Sequence, residues 1–225
     1  MTHQMPTLAL EQLMKAPNLP QLIEQAQRAL REEARKRQEF YAWLKEDVKA
    51  EFINGHVVMH SPVKERHWTA VGNIHSLLRA YVIKNKLGRV ASEKALIALK
   101  RNDYEPDVCF WKQEKATQFT ADQMKFPAPD LVVEVLSKGT ARTDRGIKFT
   151  DYAANGVAEY WIVNPGKQLV EQYTLDAATD AYALTNTCTG QDILTAQQVD
   201  GFAVSTLSLF DETANMQALA ALLSA

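Results

Sequence analysis

Pro129-Asp130-Leu131-Val132-Val133-Glu134-Val135-Leu136-Ser137 is the stretch on which the fold turns. Its centre is so apolar that a strand formed from it must be buried on both faces, as the central strands of parallel sheets are. Residues 142–155 follow with a helical pattern stopped by Asn155-Gly156, and then comes a second apolar run, Glu159-Tyr160-Trp161-Ile162-Val163-Asn164. This strand, helix and strand spacing is that of a βαβ unit, so the two runs are expected side by side and parallel.

Working outward, residues 88–99 and 104–111 read as two earlier extended segments. Residues 168–175 and 182–187, after the Asn164-Pro165-Gly166 turn, read as alternating meander strands that widen the same sheet. Upstream, the runs on either side of Asn54-Gly55 predict a β-hairpin over residues 50–59, because both turn residues tolerate positive φ. Residues 63–86 read as a helix with Trp68, Val71, Ile74, Leu78 and Tyr81 or Val82 turned inward and Gly88 as its C-cap. The fold class is therefore mixed α/β, a central mixed sheet flanked by helices.

Two further pieces frame this domain. Residues 19–47 are helix-prone and highly charged, and within them the mixed signs of the run 31–37 at i,i+4 spacing describe a solvated helix face more than a DNA contact. The organisation expected is an N-terminal helical extension over residues 1–47, a main domain over 48–212 and a C-terminal helix over 213–225. That last helix would cover a sheet edge or join two copies.

The chain has 225 residues, 46% apolar and 23% charged, with a formal charge of −2. That composition belongs to a globular protein with a sizeable core and not to a disordered chain. It excludes coating nucleic acid by bulk charge, so any polyanion site must be built locally. Cys109 and Cys188 stand in no zinc or disulfide spacing, which makes a reducing cytoplasm the simplest home. No stretch has the character of a leader or a membrane span.

Glu134 is the most informative residue, because a carboxylate in the middle of a doubly buried strand must be neutralised by a proton, a basic side chain or a metal ion. Asp107 in Glu105-Pro106-Asp107 stands where a second apolar strand starts, since proline suits a strand's entry. If that strand neighbours the Glu134 strand, two hard oxygen ligands converge as Mg²⁺ or Mn²⁺ requires. Lys148, about two turns into the following helix, is placed to orient a water and offset charge on a phosphate, although an ordinary surface pair with Asp144 also fits. Lys138, Arg142, Arg145 and Lys148 against the single acid Asp144 make residues 138–148 locally basic. Glu51, just before the hairpin turn, is the remaining candidate acid.

Glu51-Phe-Ile-Asn-Gly, Ser61-Pro62 with His67, Pro106-Asp107-Val, the 129–137 stretch, Asp144 with Lys148 and Tyr152, and Gly156-Val-Ala-Glu-Tyr-Trp-Ile-Val-Asn-Pro165 together resemble the Uma-two family of restriction endonucleases, within the PD-(D/E)xK nuclease superfamily. The resemblance covers about residues 41–210. It implies a restriction-endonuclease-like fold, with Asp107 and Glu134 as metal ligands, Glu51 as an additional acid and Lys148 as the lysine displaced from position 136, which is Leu136 here. Tyr152 would support Lys148 or contact substrate, Lys138, Arg142 and Arg145 would face DNA, and His67 matches a family position without an assigned role. The activity implied is Mg²⁺- or Mn²⁺-dependent hydrolysis of DNA, with a homodimer a reasonable assembly for cutting two strands. The alternatives are a nuclease fold that binds nucleic acid or a partner without cutting, a hydrolase of another phosphate ester, and a structural module acting through its terminal helices.

Overall fold

The computed structural model describes residues 5–59, 61–176 and 178–224. In chain order the elements are α1 (Met5–Met14), α2 (Leu19–Trp43), β1 (Ala50–Ile53), β2 (His56–Met59), α3 (Glu65–Asn85), β3 (Gly88–Ser92), β4 (Leu96–Ala98), β5 (Asp103–Tyr104) and β6 (Val108–Lys112). They continue with α4 (Gln113–Ala116), β7 (Lys125–Phe126), β8 (Leu131–Val135), α5 (Ala141–Asp144), α6 (Ile147–Ala154), β9 (Glu159–Asn164), β10 (Leu169–Asp176) and β11 (Ala181–Thr189). The chain ends with β12 (Ile193–Thr195), β13 (Ala203–Ser205), a 3₁₀ turn (Thr206–Leu209) and α7 (Glu212–Ser224).

The main sheet has the order β11-β10-β9-β8-β6-β3. β8 and β9 run parallel, joined through α5 and α6 as the βαβ spacing predicts, while their other pairings are antiparallel. The side-chain period of two divides β8 cleanly between two cores. Leu131, Val133 and Val135 pack with Val71, Ile74 and Leu78 of α3. Val132 lies on the opposite face, among Cys109, Trp111, Tyr152 and Tyr160.

A second sheet, β2-β1-β5-β4-β7, stands beside the first. The extended segments expected over 88–99 and 104–111 are each broken, with β3 and β6 in the main sheet and β4 and β5 in the second. The breaks fall at Glu93, which has φ 57°, and at Glu105-Pro106-Asp107, where proline cannot donate to a ladder. The Asn54-Gly55 hairpin forms as expected, with φ of 48° and 79°.

Three expectations are corrected. Lys86, not Gly88, caps α3 in the left-handed conformation; Gly88 instead opens β3 at φ 149°, where a Cβ would lie 1.9 Å from the Trp111 carbonyl oxygen. Trp68 is 53% exposed rather than core, because it begins the helix outside the ridge of Ala70, Val71, Ile74 and Leu78 that meets the sheet. The single helix expected over 142–155 is two, parted at Arg145-Gly146, where the glycine has φ −113° and ψ −104°. The helix α4, the strand β7 and the β12/β13 hairpin have no counterpart in the sequence reading, while α1 falls inside the expected N-terminal helical extension. The C-terminal helix packs on α3, with Asn215 donating to the Asn73 carbonyl at 3.1 Å.

The second half of α2 docks on the domain. Arg37 donates to both Asp103 oxygens at 2.7 and 2.5 Å and to the Leu99 carbonyl at 2.7 Å, Tyr41 donates to Asp103 at 2.8 Å, and Phe40 stacks on Phe52. Asp103 is wholly buried, so removing Arg37 strands a charge. Arg37→Ala is expected to destabilise the fold by about 3 kcal/mol in urea denaturation. The double variant Arg37→Met with Asp103→Leu should recover much of that loss.

Candidate active site

β6 runs antiparallel to β8 with Val108 opposite Val133, so continuing the register brings Asp107 to the level of Glu134. By parity both fall on the face shared with Val132 and Cys109, the face that α6 covers. Asp107 Oδ2 accepts the Val135 N–H at 2.8 Å, tying the strand entry to the neighbouring strand. The convergence expected of these two acids is therefore present, at the end of the sheet where β6 starts and β8 stops.

From the helical side, α6 presents Lys148 and Tyr152, one turn apart, to the same point. The Lys148 ammonium lies 2.7 Å from Glu51 Oε1, 3.1 Å from Glu134 Oε1 and 3.7 Å from Asp144 Oδ1. Glu51 also accepts the Glu105 N–H at 3.0 Å, which fixes β1 to the strand break. Tyr152 is fully buried and its hydroxyl donates to Glu134 Oε1 at 3.4 Å, so it faces the acid and not solvent. The Tyr104 ring centroid lies 5.6 Å from the ammonium. Glu51, Glu134, Asp144 and Lys148 are each no more than 3% exposed.

The remaining residues of the sequence reading lie farther out. Lys138, on the segment between β8 and α5, and Arg142, on α5, are exposed. Arg145 is also exposed and forms an ion pair with Glu171 of β10. His67, in the first turn of α3, has its Nε2 3.4 Å from Asp107 Oδ2.

Asp144 is the residue the sequence reading undervalued. Its i,i+4 relation to Lys148 allowed a surface pair, yet it is 1% exposed, and both oxygens lack a hydrogen bond of normal geometry. The signal was its spacing from Lys148; what was hidden is that the break at Arg145-Gly146 turns this pair inward. Tyr104 carried no signal, since its closeness to Lys148 depends on how the second sheet meets α6.

The electrostatics follow from crowding. Burial raises the Glu134 carboxyl well above its usual range, and Asp144, Asp107 and Glu51 push it further against the pull of Lys148. Burial likewise pushes Asp144 up to about 6. Lys148 is pulled down by burial, but Glu134, Glu51 and Asp144 outweigh that and keep the ammonium charged. For His67 too burial opposes the charged ring, and the Asp107 carboxylate prevails and raises it. One lysine thus faces an excess of buried acids. Among the described residues no group of three or more His, Cys, Asp or Glu side chains is arranged to hold a metal ion by protein ligands alone.

This imbalance is measurable in metal-free protein. At pH 8, Glu134→Gln and Asp144→Asn should each raise Tm by roughly 2–4 °C, the shift that about 1 kcal/mol produces at this chain length. Lys148→Met should destabilise by about 3 kcal/mol, because the acids then lose their buried counter-charge. The Asp144 carboxyl, usually near 3.8, sits at about 6 in the fold, so the folded state holds that proton more tightly than the unfolded state. Its contribution to stability is therefore full at low pH and is lost as pH rises through about 6. Asp144→Asn should flatten that slope in a pH series of thermal melts.

The chain resembles one solved structure in fold and one family model in sequence. The fold is similar to that of a protein from Anabaena variabilis described as "a putative nuclease belonging to DUF820", with a TM-score of 0.66 and 16% identity over 81% of this chain and 97% of that one. A search of curated proteins gives no match. The family model described as "Putative restriction endonuclease" matches residues 37–208, which include β1, β6, β8 and α6 and hence every side chain of the acid cluster. On that match, the chain belongs to the Uma2 (Uma-two) family, and it shares its mixed α/β architecture with the Anabaena variabilis protein.

Proposed function

We propose that the protein is a divalent-metal-dependent endonuclease that hydrolyses DNA phosphodiester bonds at the Asp107, Glu134 and Lys148 cluster. The observation that carries this reading is the buried acid excess: Glu51, Glu134 and Asp144 all point at the single ammonium of Lys148, with Asp107 on the adjoining strand. A fold that needed only stability would be better served by apolar side chains there.

The donor set fits the proposed cation. Asp107 and Glu134 offer hard carboxylate oxygens on neighbouring strands, and Mg²⁺ keeps several waters instead of demanding a full protein cage. Asp107 and Glu134 are the residues that would hold it. Bound there, Mg²⁺ or Mn²⁺ would supply Lewis-acid polarisation of the scissile phosphate and a more acidic water.

The protein's own side chains have distinct parts in this scheme. Lys148 orients the attacking water and offsets the negative charge that grows on the phosphate. Glu51 and Asp144 hold the ammonium in place from two sides, and Tyr152 fixes the Glu134 carboxylate through its hydroxyl. Exposed Lys138 and Arg142 are available to backbone phosphates on either side of the cut. Arg145 would have to leave Glu171 to join them.

The decisive comparison uses purified protein, mixed DNA substrates and Mg²⁺ or Mn²⁺. Wild-type protein should cleave, and its Tm should rise with metal, because a ligand that binds only the folded state stabilises it. Glu134→Gln should fold, lose the metal-dependent rise and fail to cut. Lys148→Met should keep a metal response while losing cleavage on the order of a hundredfold or more. A metal-responsive wild type that cuts no DNA, RNA or nucleotide would favour a binding protein on the same fold.

A further inference from the structure

His67 has no part in the chemistry just described, yet it is built into the site. It stands in the first turn of α3, 7% exposed, on the helix face that otherwise carries Ala70, Val71, Ile74, Leu77, Leu78 and Val82 into the core. An imidazole at such a position loses its hydration, and here its Nδ1 is buried with no hydrogen-bond partner. An aliphatic side chain would fill the space at lower cost. The ring's polar interactions are with Asp107, whose Oδ2 is 3.4 Å from Nε2, and with the Val135 backbone.

That one oxygen of Asp107 is held from two directions. The Val135 N–H reaches it from β8 at 2.8 Å, and His67 Nε2 approaches it from α3. Asp107 directly follows Pro106 and precedes β6; the Glu93 N–H holds its backbone carbonyl at 3.0 Å, and the two contacts on Oδ2 act on its side chain. Two anchors on a single oxygen fix the rotation of the carboxylate and leave the other oxygen, Oδ1, to be aimed.

We propose that His67 is a positioning residue, which holds the Asp107 carboxylate in the orientation that binds the divalent cation. The inference rests on the reading of Asp107 as a metal ligand. It gives His67 no proton transfer and no contact with substrate. Outer partners of ligating carboxylates act in this manner, and their loss weakens metal affinity without removing a ligand.

The test follows Tm of the full chain against MgCl₂, and separately MnCl₂, for wild type, His67→Ala and His67→Gln. Comparing the metal concentration at half-maximal shift, instead of Tm itself, separates metal affinity from any loss of packing. His67→Ala should need about tenfold more metal or beyond. His67→Gln, whose side-chain amide can take the place of Nε2, should return most of the way to the wild-type midpoint, and it carries the test if the alanine variant does not fold. A wild-type midpoint in His67→Ala overturns the proposal, as does a glutamine variant that melts normally without metal but is no better than alanine at binding it. A wild-type protein whose Tm ignores both metals overturns the metal reading itself, and this inference with it.

Discussion

Lys148 carries an ammonium group into a buried site, and it keeps its charge there because Glu51, Glu134 and Asp144 converge on it from a hairpin, a central strand and a helix. The dependence is mutual. Without the lysine, the three carboxylates would face one another at low dielectric, where like charges repel most strongly. Much of the architecture around this point has the effect of bringing these four groups together. The break between β5 and β6 lets Glu51 reach across through the Glu105 N–H, and the break between α5 and α6 turns Asp144 inward.

A second layer keeps the cluster from relaxing. Tyr104, Tyr152 and Tyr160 pack against one another beneath it, and the Tyr104 and Asn102 side chains both donate to Asp151 on α6. This ties the second sheet to the helix that carries Lys148. On the far side Glu159 accepts hydrogen bonds from Trp161 and from the Gln198 N–H, so the β12/β13 region is fastened to β9 by another buried acid, one satisfied by donors and not crowded by other acids. The contrast between Glu159 and Glu134 is instructive. Both are buried strand glutamates, but of the two only Glu134 lies among further carboxylates, and the proposed site rests on that difference.

The whole-chain charge of −2 is a poor guide to such a site, because a few buried acids and one lysine dominate the local field while exposed charges are screened. The solvated reading of residues 31–37 holds only in part. Arg35 and Glu32 pair within α2 at the surface, whereas Glu33 and Arg37 of the same run are committed to Arg101 and Asp103 of the domain.

The sequence by itself determined the local elements and the central pair of strands. Asn54-Gly55 dictates its turn through positive φ, the apolar run around Glu134 dictates a buried strand, and the intervening helical pattern dictates a parallel partner. It also exposed Glu134 as anomalous, because a charge in an apolar strand is visible without any contact being known. Only the tertiary structure decided what surrounds that charge. Where β3/β4 and β5/β6 divide between two sheets, how far α5 and α6 bend apart, and that Asp144, Tyr104 and His67 reach the cluster all depend on packing between segments distant in the chain. Period and propensity describe which face a residue occupies on its own element; they are silent on which other element that face will meet.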